Sequence, residues 1–146
     1  MDQDTLVRQH VYEAAVALGA PPTVADLSLA TRLPEAEVQA SLQRLAAGHV
    51  LVLQQLSGEI LMAAPFSAVP TGFQVQTSRY SAFANCVWDA LGIPAMSGET
   101  AVIRTACGCC GERMEVAVGT DGPQAGDGAI HFAIPAARWW EDIVFT

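Results

Sequence analysis

Residues 6–18, LVRQHVYEAAVAL, place apolar side chains at Leu6, Val7, Val11, Ala14, Ala15 and Leu18, and Gly19 follows them. That spacing predicts a first helix with a glycine stop. Thr23 comes next, with Asp26 three positions later, which is the arrangement of a capping box at the head of a second, shorter helix. After Leu33-Pro34, EAEVQASLQRLAAG repeats Val38, Leu42 and Leu45 and reaches Gly48, so a third helix ending on Gly48 is expected. HVLVLQQLSGEILMA then reads as two strands around a Ser57-Gly58 turn.

Residues 65–72, PFSAVPTG, hold two prolines and a glycine and read as a linker. Beyond them, strands are predicted at FQVQ (73–76), AVIRT (101–105), MEVAV (114–118) and AIHFAI (129–134). A helix is predicted from about Ser81 to Leu91, between the first and second of these strands. The expected fold class is α+β: a three-helix, winged-helix-like domain over residues 1–64, the linker, and a small mixed or antiparallel sheet with one packed helix over 73–146.

Composition narrows what such a fold would do. The 146 residues are 51% hydrophobic with a net charge of -8, and all seven basic residues are arginines. The absence of lysine excludes Schiff-base chemistry on a lysine side chain. Three helices and a hairpin suggest DNA binding through the third helix. That helix offers Glu35, Glu37 and a single Arg44, and residues 1–64 carry three arginines against seven acids. A phosphate backbone is bound by clustered cations, so the pattern argues against a nucleic-acid partner and for a scaffold or interaction role. Met1 is followed by Asp2 and Asp4 instead of a basic and then apolar leader, and no apolar run is long enough for a bilayer. The expectation is a soluble, cytoplasmic protein with no membrane contact, whose four cysteines are free thiols, metal ligands or catalytic groups.

Two cysteine clusters carry the candidate chemistry. In ANCVWDALG, Cys86 and Asp89 stand three positions apart, so on a helix they would share a face and could address one small ligand. A thiolate is a nucleophile and a soft-metal ligand, and a neighbouring carboxylate can take or give its proton. Packing is the alternative for both residues. In ACGCCGERM, Cys107, Cys109 and Cys110 fall within four residues. C-x-C-C is not the C-x2-C knuckle of zinc sites, but three thiols this dense suit a soft metal such as zinc or copper, in a metal-binding module or winged-helix sensor. His10, His49 and His131 are scattered, and Trp139 and Trp140 either roof an apolar pocket or begin a packed amphipathic element.

Taken together, RYSAFANCVWDALGIPAMSGETAVIRTACGCCGE resembles the core of the organomercurial (alkylmercury) lyase family: an aromatic-rich strand end, a helix with Cys-x-x-Asp, then Leu, Pro and Gly, a strand, and a further Cys near a glycine turn. The match is good over about residues 73–118 and looser to 146, and the acidic winged-helix-like N-terminal part also fits the family, without a DNA-binding duty. The resemblance implies protonolysis of a carbon–mercury bond, with Cys86 as a thiolate ligand of the organomercurial and Asp89 as the proton shuttle to the departing carbon. Cys107 would match a cysteine regarded as structural. No cofactor is implied: mercury arrives in the small organomercurial substrate and leaves as Hg(II) with small thiols. The family's second catalytic cysteine falls beyond a stretch matching IPAARWWEDIVFT, which contains no cysteine. The expectation is therefore a chain shortened relative to the family, or one in which Cys109 or Cys110 supplies the second thiol.

Overall fold

The computed structural model describes residues 1–124, 126 and 128–144. Helix α1 (Gln3–Leu18) starts where the Asp2 carboxylate accepts the Thr5 amide and stops at Gly19, whose φ of 81° is left-handed. Its buried positions Val7, Val11 and Ala15 lie four residues apart, a single stripe. Helix α2 (Val24–Thr31) opens with the complete Thr23/Asp26 capping box, and α3 (Glu35–Ala47) buries Val38, Ser41, Leu42 and Leu45. At the end of α3, Gly48 keeps a negative φ and the left-handed turn falls on His49. The Arg44 guanidinium of α3 is engaged by the Asp4 carboxylate at 2.7 Å, which together with the Ser41 hydroxyl holds the Asp4 carboxyl down at about 2.

Eight strands follow among the described residues: β1 (Val52–Leu53), β2 (Ile60–Ala63), β3 (Phe66–Ser67), β4 (Gln74–Gln76), β5 (Ser81–Ala84), β6 (Ala101–Ala106), β7 (Arg113–Gly119) and β8 (Gly122–Pro123). They form one sheet in the order β1-β2-β3-β5-β4-β6-β7-β8, with every pairing antiparallel. Helix α4 (Val87–Ser97) lies on the sheet through Ala90, Ile93 and Pro94. The chain is thus α+β, with helices first and an antiparallel sheet after them.

Three local expectations are corrected. Residues 65–72, predicted as a linker, contain β3, and Phe66 is fully buried between β2 and β5. Burial of a phenyl ring, worth about 1.5–3 kcal/mol, outweighs the turn character of the flanking prolines. The predicted helix 81–91 is displaced: Ser81–Ala84 is a strand hydrogen-bonded to β4 and β3, and the helix begins at Val87 and runs through Pro94 to Ser97. Helix propensity is a weak preference, and two strand partners override it. Residues 129–134 form no strand, and the segment leads to a 3-10 helix at Ala136–Glu141.

Two groups of buried side chains fill the interior. One joins the three helices to Leu51, Ile60 and Ala63; the other joins Phe66, Val75, Ala82, Ala84, Ala90, Ile93 and Ile103, and Ala15 of α1 belongs to it. Gly19 packs against the Tyr80 ring so closely that a Cβ there would lie 2.5 Å from it. The end of α1 is therefore seated on the sheet. Among the described residues, no helix is long and apolar enough to cross a membrane.

Candidate active site at the start of helix α4

The sheet decides where the thiols lie. Gln74 of β4 is level with Phe83 of β5 on one side and with Arg104 of β6 on the other. Both flanking strands run opposite to β4, so they run parallel to one another in direction and leave the sheet at the same edge. Cys86 follows Phe83 by three residues, and Cys107 follows Arg104 by three. At roughly 4.8 Å per strand spacing, the two exits are about 10 Å apart across β4.

Cys86 is the N-cap of α4 in extended conformation, and Asp89 occupies the first turn. The pair therefore sits at the mouth of the helix, where backbone amides point outward and favour negative charge. Cys86 is half-buried, and burial pushes its thiol up; the Asp89 and Trp88 amides facing the sulfur pull it down, and the Asp89 carboxylate adds to the rise. Those amides do not close a full side-chain cap on the sulfur. Burial also raises the Asp89 carboxyl above the usual carboxylate range, opposed by the Asn85 amide, which donates to Asp89 Oδ2 at 2.8 Å. Asn85 also reaches the Phe66 carbonyl at 3.4 Å, while its own Oδ1 is buried without a partner. Tyr12 of α1 is half-buried and donates its hydroxyl to the Val50 carbonyl at 3.4 Å; burial raises its phenol, the Arg8 charge lowers it and the Asp89 charge raises it.

Asn85 and Tyr12 are not among the residues the sequence singles out. Asn85 could have been found, since it precedes Cys86 directly and stands four residues before Asp89. Tyr12 has no local signal, because its tie to Asp89 is a through-space charge effect between residues far apart in sequence.

The Asn85 contact gives a prediction. Asn85→Ala removes the opposing hydrogen bond, so the Asp89 carboxyl should titrate higher than in the parent, as read by carboxyl infrared absorption or side-chain NMR. The linkage follows from the same direction: with the folded pKa above the unfolded one, the native state binds the proton more tightly. Stability should fall as pH rises from the ordinary carboxylate range through the folded Asp89 pKa, and Asp89→Asn should abolish that fall in denaturant titrations.

Cys107, Cys109 and Cys110 occupy the turn between β6 and β7, the last two exposed. No three His, Cys, Asp or Glu side chains among the described residues converge as a metal site. The Cys107 thiol is lowered, with the Cys110 and Cys109 amides directed at its sulfur and the Cys110 thiol beside it.

Trp139 and Trp140 part company. Trp139, whose indole donates to the Ile134 carbonyl at 2.8 Å, lines an apolar cleft with Trp88, Phe132, Ile134 and Pro135. Trp140 stacks on His49 with ring centroids 4.3 Å apart. The stretch expected to match the family's catalytic segment ends at 145 and 146, which lie outside the described residues.

A thiol and a partly buried carboxyl thus stand one turn apart at a helix mouth on an antiparallel sheet, two groups whose chemistry allows binding of a soft electrophile and transfer of a proton. The family is shown by sequence: the chain belongs to the alkylmercury lyase family, whose model matches residues 66–146. A solved structure described as the mercury-bound form of MerB2 shares the fold, with a TM-score of 0.65 and 21% sequence identity. That match covers 86% of this chain and 60% of that one, so the chain spans about three fifths of its length. No curated protein sequence matches.

Proposed function

We propose that this chain cleaves the carbon–mercury bond of small organomercurials, with Cys86 as the thiolate that holds mercury and Asp89 as the group that carries the proton to carbon. The observation that carries the reading is the Cys86–Asp89 arrangement at the start of α4, with Asp89 half-buried and oriented by Asn85. Family membership supports it.

The chemistry balances with these groups. The Cys86 sulfur bonds to the mercury of R–Hg–X, X departs as an anion, and the thiol proton passes to Asp89. A small-molecule thiolate joins as a second sulfur ligand, enriching the carbon attached to mercury. Asp89 then gives its proton to that carbon; the electron pair of the carbon–mercury bond becomes the new carbon–hydrogen bond, and R–H leaves. Mercury remains as Hg(II) on sulfur. A carboxyl raised by burial holds the proton until carbon can take it, which suits the role. Sulfur is the fitting ligand because both it and mercury are soft.

Residues 1–64 we read as a winged-helix-like unit that acts as a scaffold. Its Arg44, the one cation of the third helix, is tied to Asp4, which leaves that helix no cation free for a phosphate backbone. Four free cysteines suit a reducing compartment, the cytoplasm. The test is incubation with phenylmercury and an excess of small thiol, with benzene measured in the headspace. Benzene above the protein-free rate is expected; tight mercury binding with no benzene would reduce the function to binding.

A further inference from the structure

The β6–β7 turn is closed by two backbone hydrogen bonds of 2.8 Å, from the Cys107 amide to the Glu112 carbonyl and from the Gly111 amide to the Cys107 carbonyl. The second spans four residues and so makes one helix-like turn, with Gly111 supplying a φ of 74°. Within such a turn, residues three apart face the same side with Cβ atoms roughly 5–6 Å apart. Cys107 and Cys110 hold those positions. The Cys109 and Cys110 amides point at the Cys107 sulfur, which stands where a capping oxygen would, and the Cys110 thiol adjoins it. Cys109, between them, enters that contact through its backbone amide.

A tetrahedral metal finds too few ligands in this turn. Mercury(II) does not need four, since two thiolates complete its preferred linear coordination. The turn is also well placed, leaving the same edge of the sheet as Cys86.

We propose that Cys107 and Cys110 form a second thiolate site, which clamps inorganic Hg(II) and takes over the ion that Cys86 releases. The clamping stands on the turn geometry alone; the hand-over rests on the lyase reading above. In the exchange, two sulfur–mercury bonds break, to Cys86 and to the small thiol, and two form, to Cys107 and Cys110. The two protons of the turn thiols pass to the departing sulfurs, and mercury stays Hg(II) throughout. The direction is set by closure of a ring: once Cys107 has bound, Cys110 attacks from the same short loop at an effective concentration in the millimolar range. The single Cys86 thiol has no such partner on α4.

The test uses inorganic mercury, so its outcome is independent of any hydrocarbon release. The full chain and its Cys110→Ser, Cys109→Ser and Cys86→Ser variants are loaded with mercuric chloride in excess small thiol, desalted, and their mercury per chain counted by plasma mass spectrometry. Cys110→Ser should lose one equivalent relative to the parent, while Cys109→Ser should not and Cys86→Ser should keep the turn's equivalent. With less than one equivalent added, mercury should map to the peptide containing Cys107 and Cys110. Equal retention by Cys110→Ser and the parent, equal losses in Cys109→Ser and Cys110→Ser, or preferential recovery on the Cys86 peptide would each overturn the site. Cys110 is exposed, so its replacement leaves the fold intact, and circular dichroism of each variant checks this.

Discussion

Cys86→Ser should bring hydrocarbon release from an organomercurial down to the protein-free rate while leaving the chain folded. A serine hydroxyl is a hard, weakly acidic oxygen with little affinity for mercury, so the first bond of the proposed reaction would not form. The fold has no reason to suffer. Cys86 is an N-cap that makes no side-chain cap hydrogen bond, and serine is among the preferred residues at that position. A gain of up to about 1 kcal/mol is the expected effect on stability, the usual worth of a good N-cap. The comparison of benzene release with the urea unfolding midpoint separates chemistry from folding. Release at the parent rate by a folded Cys86→Ser chain would remove Cys86 from the reaction.

The second large effect concerns Asp89→Asn. The substitution preserves shape and the position in the first turn of α4, but asparagine cannot accept the thiol proton and return it. Capture of the organomercurial on Cys86 should persist, while the cleavage step should slow by about 10²–10⁴-fold, the range for losing a positioned general acid. That corresponds to roughly 3–5 kcal/mol of transition-state stabilisation. Mass spectrometry of the intact protein would then show the R–Hg adduct accumulating. In the parent the same adduct should turn over, with the cleavage step weakening as pH rises through the raised Asp89 pKa, because only the protonated carboxyl can donate.

How far these residues could be read from the sequence depended on the range of the interactions involved. The first three helices were legible because their signals are local: a stripe of Val7, Val11 and Ala15, the Thr23/Asp26 box, and a glycine after Leu18. Strands β6 and β7 were equally plain. Phe66 and Ser81–Ala84 carry no local strand signal because their structure is set by their partners: β3 pairs with β2 and β5, and β5 with β3 and β4. The 129–134 segment shows the converse, since a run rich in strand-favouring residues does not by itself make a strand. For the site, the Cys86–Asp89 spacing was visible, whereas the meaning of the spacing was not. The two residues are not mid-helix neighbours but the cap and first turn of α4, and this puts them in the field of its amides.

The central claim is that this chain breaks a carbon–mercury bond by a proton delivered from Asp89, and single-turnover reaction in D2O tests it most directly. Phenylmercury mixed with excess protein and small thiol in D2O should yield benzene carrying one deuterium, in an amount equal to the mercury left on the protein, with Asp89→Asn holding the phenylmercury adduct uncleaved. Mercury retained with its phenyl group by the parent chain, or equal benzene yields from parent and Asp89→Asn over the same time, would contradict it.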